Sequence, residues 1–244
     1  MVDLSDVFWL AHTGLPREAP GSRRTTELLL ALAGPLPDRP RVLDAGCGTG
    51  PASVLLAGLT GGDVTAVDLH APFLAAVAER ARAAGVADRV HPLRASIDAL
   101  PLAPGTVDLV WAEGSAYTVG VDAALAGWRP LLAPGGAVVL TECGWTTAAP
   151  APGARAFWDR GYPAMRSTAG DVEAFRAAGW VVHATYLLPD ADWAAYYDPL
   201  AARIEQLRAE GVDGALLDQV GEEVAVRAAH AGDYGYTGYV LRPR

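Results

Sequence analysis

Nine residues, VLDAGCGTG (42–50), constrain the fold of this 244-residue chain more than any other part of its sequence. A short apolar run at 41–45 predicts a buried strand, and it leads into three glycines at alternate positions from Gly46 to Gly50. A helix is expected directly afterwards, because Pro51 suits the first helical position. Glycines between a strand and a helix let the backbone turn tightly and approach a ligand closely. The motif therefore predicts an open α/β sheet with a ligand at the end of its first strand.

Strand and helix patterns alternate along most of the chain. The predicted strands are apolar throughout, which is typical of a parallel sheet covered by helices on both faces. We expect strands at 41–45, 63–67, 90–94, 107–112, 136–141, 180–187 and 234–241. The predicted fold class is therefore a doubly wound, mostly parallel seven-stranded α/β sheet.

One domain is predicted for residues 1–244, with two additions to the core sheet. Residues 1–37 are expected to form an N-terminal helical lid, and residues 38–188 and 233–244 the core sheet. A mainly helical stretch precedes the last strand and predicts a cap inserted at about 189–232.

Two acidic residues indicate the kind of ligand. Asp68 ends the second predicted strand, where a carboxylate can hold both hydroxyls of a ribose. Asp44 lies two residues before the first glycine, where its charge would repel a pyrophosphate. Pro51 also replaces the third glycine of a dinucleotide motif. A nucleoside ligand with an ammonium and a sulfonium, S-adenosylmethionine (SAM), fits these residues better than NAD does.

The composition excludes several other functions. All 19 basic residues are arginine and there is no asparagine, so a Schiff-base lysine, a P-loop lysine and an asparagine ligand are excluded. A net charge of −9 disfavours nucleic acids, whose phosphates are bound by basic residues. Cys47 and Cys143 are too few for a disulfide framework or a zinc site, and the acidic residues show no metal-ligand cluster, so no metal is expected.

The same features bear on the location of the protein. The first residues carry acids where a signal peptide would be positively charged, and no apolar run predicts a membrane span. We expect a cytoplasmic protein without a membrane partner, and the oligomeric state, a homodimer included, stays open. The absence of lysine and asparagine indicates a GC-rich genome. Methyltransferases of secondary metabolism are common in such sources, so this setting is expected by association and not from the chemistry of the residues.

Several motifs carry a resemblance to a known family. VLDAGCGTG, the position of Asp68 and LAPGGAVVLTE (132–142) resemble the class I SAM-dependent methyltransferases. SIDALPL (96–102), VDLVWAEGSAYTVG (107–120) and TECGW (141–145) are similar, more narrowly, to a group of bacterial small-molecule methyltransferases. The resemblance implies a Rossmann-like methyltransferase fold and SAM as the cofactor.

The resemblance also implies roles for individual residues. Asp44 and the first two glycines would line the methionine half of SAM, and Asp68 would take the ribose hydroxyls. Leu69 and the loop after the third strand would frame the adenine, where Ser96 stands in place of the aspartate of many relatives. The full set of expected cofactor contacts is Asp44, Gly46, Cys47, Gly48, Asp68, Leu69, Ser96, Ile97 and Glu113.

Three residues are candidates for catalysis. Glu113 directly follows the fourth strand, and it is interpreted as a base, as a carboxylate that stabilises a cation, or as a structural cap of Gly114. His12 lies in an aromatic, proline-rich segment (8–22) that would cover the cofactor, and histidine suits base work near neutral pH. A structural role is the alternative for His12, and Tyr117 is the third candidate.

Acceptor contacts are predicted from aromatic residues. Trp193, Tyr196 and Tyr197 share one face of a cap helix, as their spacing dictates. They are interpreted as the wall of an acceptor pocket, and packing of the cap on the sheet is the favoured alternative. Trp9 and Trp145 complete the predicted set.

The sequence thus predicts a SAM-dependent methyltransferase that acts on O, N or C of a small molecule. Three alternatives stay open: a SAM-binding or partner protein without catalysis, a dinucleotide-dependent oxidoreductase, and a methyltransferase acting on a macromolecule.

Overall fold

The computed structural model describes residues 3–244, and Met1 and Val2 lie outside the described residues. The strands are β1 (Arg41–Ala45), β2 (Asp63–Asp68), β3 (Val90–Arg94), β4 (Val107–Glu113), β5 (Leu132–Trp145), β6 (Trp180–Leu187) and β7 (Tyr234–Pro243). They form one seven-stranded sheet in the order β3-β2-β1-β4-β5-β7-β6. The first five strands run parallel, and β7 is antiparallel to both of its neighbours. The predicted fold class is confirmed.

The helices are α1 (Leu4–His12), α2 (Arg23–Leu32), α3 (Pro51–Thr60), α4 (Ala71–Ala83), α5 (Val121–Trp128), α6 (Pro152–Gly161), α7 (Thr168–Ala177), α8 (Asp190–Ala209) and α9 (Gly214–His230). Local chemistry explains several of their starting points. The side chain of Asp3 forms a capping box with Asp6, and Ser22 accepts a hydrogen bond from the amide of Thr25. Asp213 caps α9 in the same way.

Apolar side chains cover both faces of the sheet. One face packs against α5 and α7, and the other against α2, α3 and α4. The largest buried side chains of these layers include Trp128, Phe175, Leu29 and Leu56. Burial of one such side chain stabilises the fold by about 1.5–3 kcal/mol, which makes the sheet a rigid support for the loops at its edge.

A third apolar cluster lies at one end of the sheet. Helices α1, α8 and α9 pack together there, with Val7, Trp193 and Leu217 among the buried residues. We call α8 and α9, which connect β6 to β7, the cap. No helix within residues 3–244 is long and apolar enough to cross a membrane.

β5 and the helical stretch of the cap differ most from their predicted bounds, and β5 continues to Trp145 instead of ending at 141. β5 begins at Leu132 rather than at 136, because Leu132 already pairs with Val107 before a register shift toward Leu109. The helical stretch of the cap is divided at 210–213, where Gly211 adopts a positive φ of 87° and Asp213 starts a new helix.

The order of the strands determines where a ligand can bind. β1 and β4 are neighbours in the sheet. From β1 the chain continues to β2 on one side, and from β4 it continues to β5 on the opposite side. Connections that diverge in this way leave a crevice beyond the carboxyl ends of the strands, which is the usual ligand site of an open α/β sheet.

Candidate functional site

The loop after β1 is shaped by glycines. Gly46 and Gly48 have φ values of 76° and 52°, a region that residues with a side chain seldom adopt. A Cβ atom on Gly46 would collide with the side chain of Ser115, and one on Gly48 would lie 2.9 Å from the Cγ atom of Glu18. Both glycines are therefore required by backbone conformation and by close packing.

Asp44 and Asp68 flank this loop. Asp44 is buried at the end of β1, and its Oδ2 atom accepts a hydrogen bond of 2.5 Å from Ser53. Burial raises the pKa of Asp44 to about 7. Asp68 accepts hydrogen bonds from the amides of Gly48 and His70, at 3.0 and 2.8 Å. Each Asp68 oxygen keeps a free lone pair, so the carboxylate can accept further bonds from a ligand.

A cavity of about 700 Å³ opens at the carboxyl ends of β1, β2 and β4, and we call it the outer cavity. Asp44, Asp68 and the glycine loop form its floor, and α1 forms part of its rim. Trp9 of α1 stacks on His70, with ring centroids 3.8 Å apart and planes inclined by 6°. The volume lies in the range of sites that bind drug-sized molecules and cofactors.

Residues 13–22, which we call the strap, join α1 to α2 beside this cavity. Arg17 of the strap donates a hydrogen bond of 2.8 Å to Oε2 of Glu113, and both side chains are nearly buried. The Oε1 atom of Glu113 accepts from Thr26 at 2.7 Å and from the indole of Trp111 at 3.0 Å. Glu113 therefore fastens the strap and α2 to the end of β4.

Glu18, the next residue of the strap, carries a buried carboxyl group that lies beside the glycine loop. Neither of its oxygens has a hydrogen-bond partner among residues 3–244. Burial raises the pKa of Glu18 to about 8. An unpartnered carboxyl group in a cavity is satisfied by a ligand that brings a positive charge or a hydrogen-bond donor.

A smaller inner cavity of about 210 Å³ adjoins the outer one and shares Glu18, Tyr117 and Tyr196 with it. Its walls come from the strap, α6, the cap and the ends of β5 and β7. The lining residues that carry polar groups include Glu142, Cys143, Tyr162, Tyr196, Tyr197, Glu223 and Tyr236.

His12, Tyr196 and Glu223 form a hydrogen-bonded chain between α1 and the cap. The Nδ1 atom of His12 lies 2.7 Å from the carbonyl oxygen of Phe8, and Nε2 lies 3.0 Å from the Tyr196 hydroxyl. That hydroxyl is 3.1 Å from Oε1 of Glu223. Burial lowers the pKa of His12 and raises the pKa of Glu223 to about 7.

Comparison with known proteins identifies the family. A family model described as a methyltransferase domain matches residues 42–136. The release factor glutamine methyltransferase of Cereibacter sphaeroides is 37% identical over 198 residues, which cover 76% of this chain and 68% of that protein. The chain belongs to the class I SAM-dependent methyltransferase family.

Two further proteins that resemble this chain are informative. The dimethylglycine N-methyltransferase of Parasynechococcus marenigrum is 36% identical over 141 residues, 54% of this chain and 49% of that protein. A SAM-dependent methyltransferase from Geobacter sulfurreducens, in complex with S-adenosyl-L-homocysteine (SAH), has the same fold with a TM-score of 0.85, 22% identity and 100% coverage of both chains. The chain spans half the length or less of several curated relatives that it matches.

The residues of the outer cavity fit the cofactor of this methyltransferase family, which is SAM. SAM carries an ammonium and a sulfonium, and two carboxyl groups, those of Glu18 and Asp44, line the cavity. Arg17 and Arg80 lie near Glu18, and no basic side chain in the described part of the chain lies near Asp44. Among residues 3–244 no group of three His, Cys, Asp or Glu side chains is arranged to hold a metal ion.

The structure brings the predicted cofactor residues together. All of them line the outer cavity: Asp44, Gly46, Cys47, Gly48, Asp68, Leu69, Ser96, Ile97 and Glu113. The hydroxyl of Ser96 donates a hydrogen bond to the carboxylate of Asp98, so the two side chains are joined at the rim of the outer cavity. Their contacts with SAM stay predictions.

The three catalytic candidates also line the outer cavity. The hydrogen bonds of Glu113 favour a structural role over that of a free base. They connect Glu113 to the strap and to α2, whereas the sequence suggests a cap of Gly114. Both ring nitrogens of His12 also have hydrogen-bond partners, which likewise favours a structural role for this residue. Tyr117 lies at the junction of the two cavities and is 40% exposed there, and its phenol is protonated near neutral pH as an ordinary tyrosine is.

The predicted acceptor residues separate into two groups. Tyr196 and Tyr197 line the inner cavity, and Trp9 lines the outer one. Trp193 and Trp145 line neither cavity. The ring of Trp193 packs beneath the guanidinium of Arg227, at 4.0 Å, and that of Trp145 beneath Arg155, at 4.2 Å. Packing, the alternative favoured for the cap aromatics, is the arrangement of Trp193, and Trp145 also packs against an arginine instead of lining a cavity.

Sequence reasoning missed Glu18, Glu223 and Tyr162. Glu18 is the acid in the segment predicted to cover the cofactor, and that position was the only signal for it. Glu223 and Tyr162 lie on segments whose patterns indicate ordinary amphipathic or loop structure, so nothing local distinguishes them.

Proposed function

We propose that this chain is a SAM-dependent methyltransferase that acts on a small molecule held in the inner cavity. The observation that carries the proposal is the pair of adjoining cavities at the carboxyl edge of the sheet. The outer cavity has the size and the acidic floor that SAM needs, and the inner one is walled by the cap and leads to it.

Asp44, Glu18 and the glycine loop would hold the methionine half of SAM, and Asp68 the ribose. Leu69, Ser96 and Ile97 would frame the adenine. SAM supplies a methyl group on a positively charged sulfur, so the acceptor needs only a lone pair that is held in line with it. The protein then contributes mainly by positioning both molecules and by excluding water.

The acceptor is proposed to be small because the inner cavity is small. At about 210 Å³ it is below the usual range of sites for drug-sized ligands. A nucleic acid is disfavoured by the net charge of −9. We propose secondary metabolism as the setting, on the association drawn from codon bias alone.

The first test is calorimetry with SAH. We expect binding in the micromolar range, and we expect Asp68→Ala to abolish it. A thermal shift with NAD but not with SAH would instead indicate the dinucleotide-dependent alternative. Absence of binding by either ligand would overturn the proposal.

The second test separates an enzyme from a protein that only binds SAM. The protein is incubated with methyl-labelled SAM and a fractionated cell extract, and the labelled product is identified by its mass. Label in a small molecule supports the proposal, label in a polypeptide would indicate a macromolecular acceptor, and SAH binding without any transfer would indicate a non-catalytic protein.

A further inference from the structure

The inner cavity contains a carboxyl group with unused hydrogen-bonding capacity. Glu142 is 1% exposed, and its Oε1 atom accepts a hydrogen bond of 3.3 Å from the amide of Cys143. Its Oε2 atom has no partner among residues 3–244. A buried oxygen without a donor costs free energy, and a donor on a bound ligand would remove that cost.

A second carboxyl group reaches the same cavity from the cap. Glu223 lies on α9, and its Oε1 atom is 3.1 Å from the hydroxyl of Tyr196. Glu18 adds a third carboxyl group at the junction with the outer cavity. The cavity is therefore acidic from three sides: the strap, the end of β5 and the cap.

The cavity offers no cationic side chain that would bind an anion. Among the described residues that line it there is no arginine, lysine or histidine. Three nearby arginines are committed elsewhere: Arg17 to Glu113, Arg166 to Asp122 and Asp171, and Arg227 to Asp190. Each carboxyl group that ionises here would repel the carboxylate or phosphate of an acceptor, and no cationic side chain would compensate.

The remaining wall is aromatic. Tyr117 and Tyr162 have ring centroids 5.6 Å apart, and Tyr196 and Tyr197 have centroids 5.0 Å apart. The faces of aromatic rings attract cations and also pack against apolar groups. A compact molecule with an apolar body and a positively charged or donating group satisfies both parts of the wall.

We propose that the inner cavity binds the acceptor as a small amine, with its nitrogen held by Glu142 and Glu223 and its apolar part enclosed by tyrosine rings. This inference rests on the proposed function, and it names the substrate class. An ammonium brings three donors and no acceptor, and its hydrogen bonds to carboxylates are stronger than those of an alcohol. An acceptor that carries a carboxylate is excluded by the same walls.

The test uses a panel of compact amines, each with an alcohol and a carboxylate of matched size, such as benzylamine, benzyl alcohol and benzoate. Binding to the full-length protein is measured by calorimetry at saturating SAH. We expect the amines to bind about tenfold to a hundredfold more tightly than their alcohols, and the carboxylates not to bind. Equal affinities, a preference for carboxylates, or no binding by any amine would overturn the inference.

Variants locate the site. Glu142→Gln and Glu223→Gln keep the side-chain shape and should each weaken amine binding at least tenfold while leaving the affinity for benzyl alcohol unchanged. Glu222→Gln is the matched control, because Glu222 neighbours Glu223 on α9 but pairs with Arg160 at the surface. Amine affinities that do not change in either cavity variant would also contradict the inference.

SAH binding is measured first in every variant. Failure of the wild-type protein to bind SAH would overturn the proposed function itself. Normal SAH binding without a preference for amines would overturn only the inference about the acceptor. A variant that does not fold is recognised by its loss of SAH binding, and its partner variant then carries the test.

Discussion

The Nε2 atom of His12 lies 3.0 Å from the hydroxyl of Tyr196, although 184 positions separate the two residues in the sequence. Because the Phe8 carbonyl can only accept, Nδ1 carries a proton, and neutral His12 must accept at Nε2. Tyr196 has one hydrogen, so it can bond to both neighbours only when one further proton is held in the chain, either on Nε2 of His12 with Tyr196 donating to Glu223, or on the Glu223 carboxyl group. The lowered pKa of His12 and the raised pKa of Glu223, about 7, favour Glu223 as its location in the ligand-free protein.

Replacing Tyr196 with phenylalanine should destabilise the protein, since His12 and Glu223 would both lose a buried partner. We expect the free energy of unfolding to fall by about 1–3 kcal/mol in urea denaturation. Tyr186→Phe is the control, because Tyr186 is only half-buried and lies on β6, the edge strand of the sheet. Equal stability of the two variants would show that the chain of hydrogen bonds contributes nothing.

The pair of Arg17 and Glu113 should behave as a structural clasp rather than as a base. Glu113→Gln leaves the Arg17 charge nearly buried without its partner, so unfolding free energy and SAH affinity should fall together. Arg17→Met in the same chain should restore much of the stability, with a coupling of about 1–3 kcal/mol in a double-mutant cycle. A collapse of turnover with unchanged SAH affinity and stability would instead indicate that Glu113 is the base.

The glycine loop should not tolerate a side chain at Gly46. Gly46→Ala imposes a positive φ on alanine and a collision with Ser115, at a cost of about 1–3 kcal/mol for the backbone alone. We expect SAH binding to be lost in calorimetry. Gly127→Ala in α5 is the control, because a methyl group there meets open space and alanine favours a helix. SAH binding by the first variant at normal affinity would show that the loop can relax.

The ligand-free protein should lose stability as the pH rises from about 6.5 to about 8. Burial raises the pKa of Glu18 and Glu142 to about 8 and that of Asp44 and Glu223 to about 7. In the unfolded chain these groups ionise near pH 4, so above that pH the folded state binds more protons and becomes less stable as protons are withdrawn. Each group contributes at most about 1.4 kcal/mol per pH unit.

The lowered pKa of His12 acts in the opposite direction, but only below its ordinary value of 6.5. Urea denaturation across the pH range measures the slope. Glu142→Gln should flatten it, whereas Glu222→Gln should not. A stability that rises with pH between about 6.5 and 8 would contradict the protonation states assigned to the buried acids.

The parts of the site that are set by local pattern could be predicted from the sequence. β1, the glycine loop, Asp44 and Asp68 lie within one strand–loop–helix–strand unit, whose periodicity and turn residues determine their positions. The alternation of strands and helices likewise predicted the doubly wound seven-stranded sheet. These features do not depend on the contacts of distant residues.

The inner cavity depends on packing between segments that are remote in the sequence, and no local pattern encodes that packing. Glu222 and Glu223 are neighbours with similar surroundings in the sequence, yet one pairs with Arg160 at the surface and the other faces the inner cavity. Trp193 and Tyr197 share a helix face, yet Trp193 packs against Arg227, Tyr234 and Tyr236 while Tyr197 lines the inner cavity. The position of Glu113 at the carboxyl end of the fourth strand could be predicted from the sequence. Its partner Arg17 could not, because the two residues are 96 positions apart.

The position of β7 between β5 and β6 has a consequence for biosynthesis. The sheet, and with it the wall that Tyr236 adds to the inner cavity, cannot be completed until the residues of β7 have left the ribosome. α1 precedes α8 and α9 in the chain, so His12 gains its hydrogen bond to Tyr196 only after those helices have been synthesised. The glycine loop can thus be formed on a nascent chain, whereas the inner cavity is completed only when β7 pairs with β5 and β6.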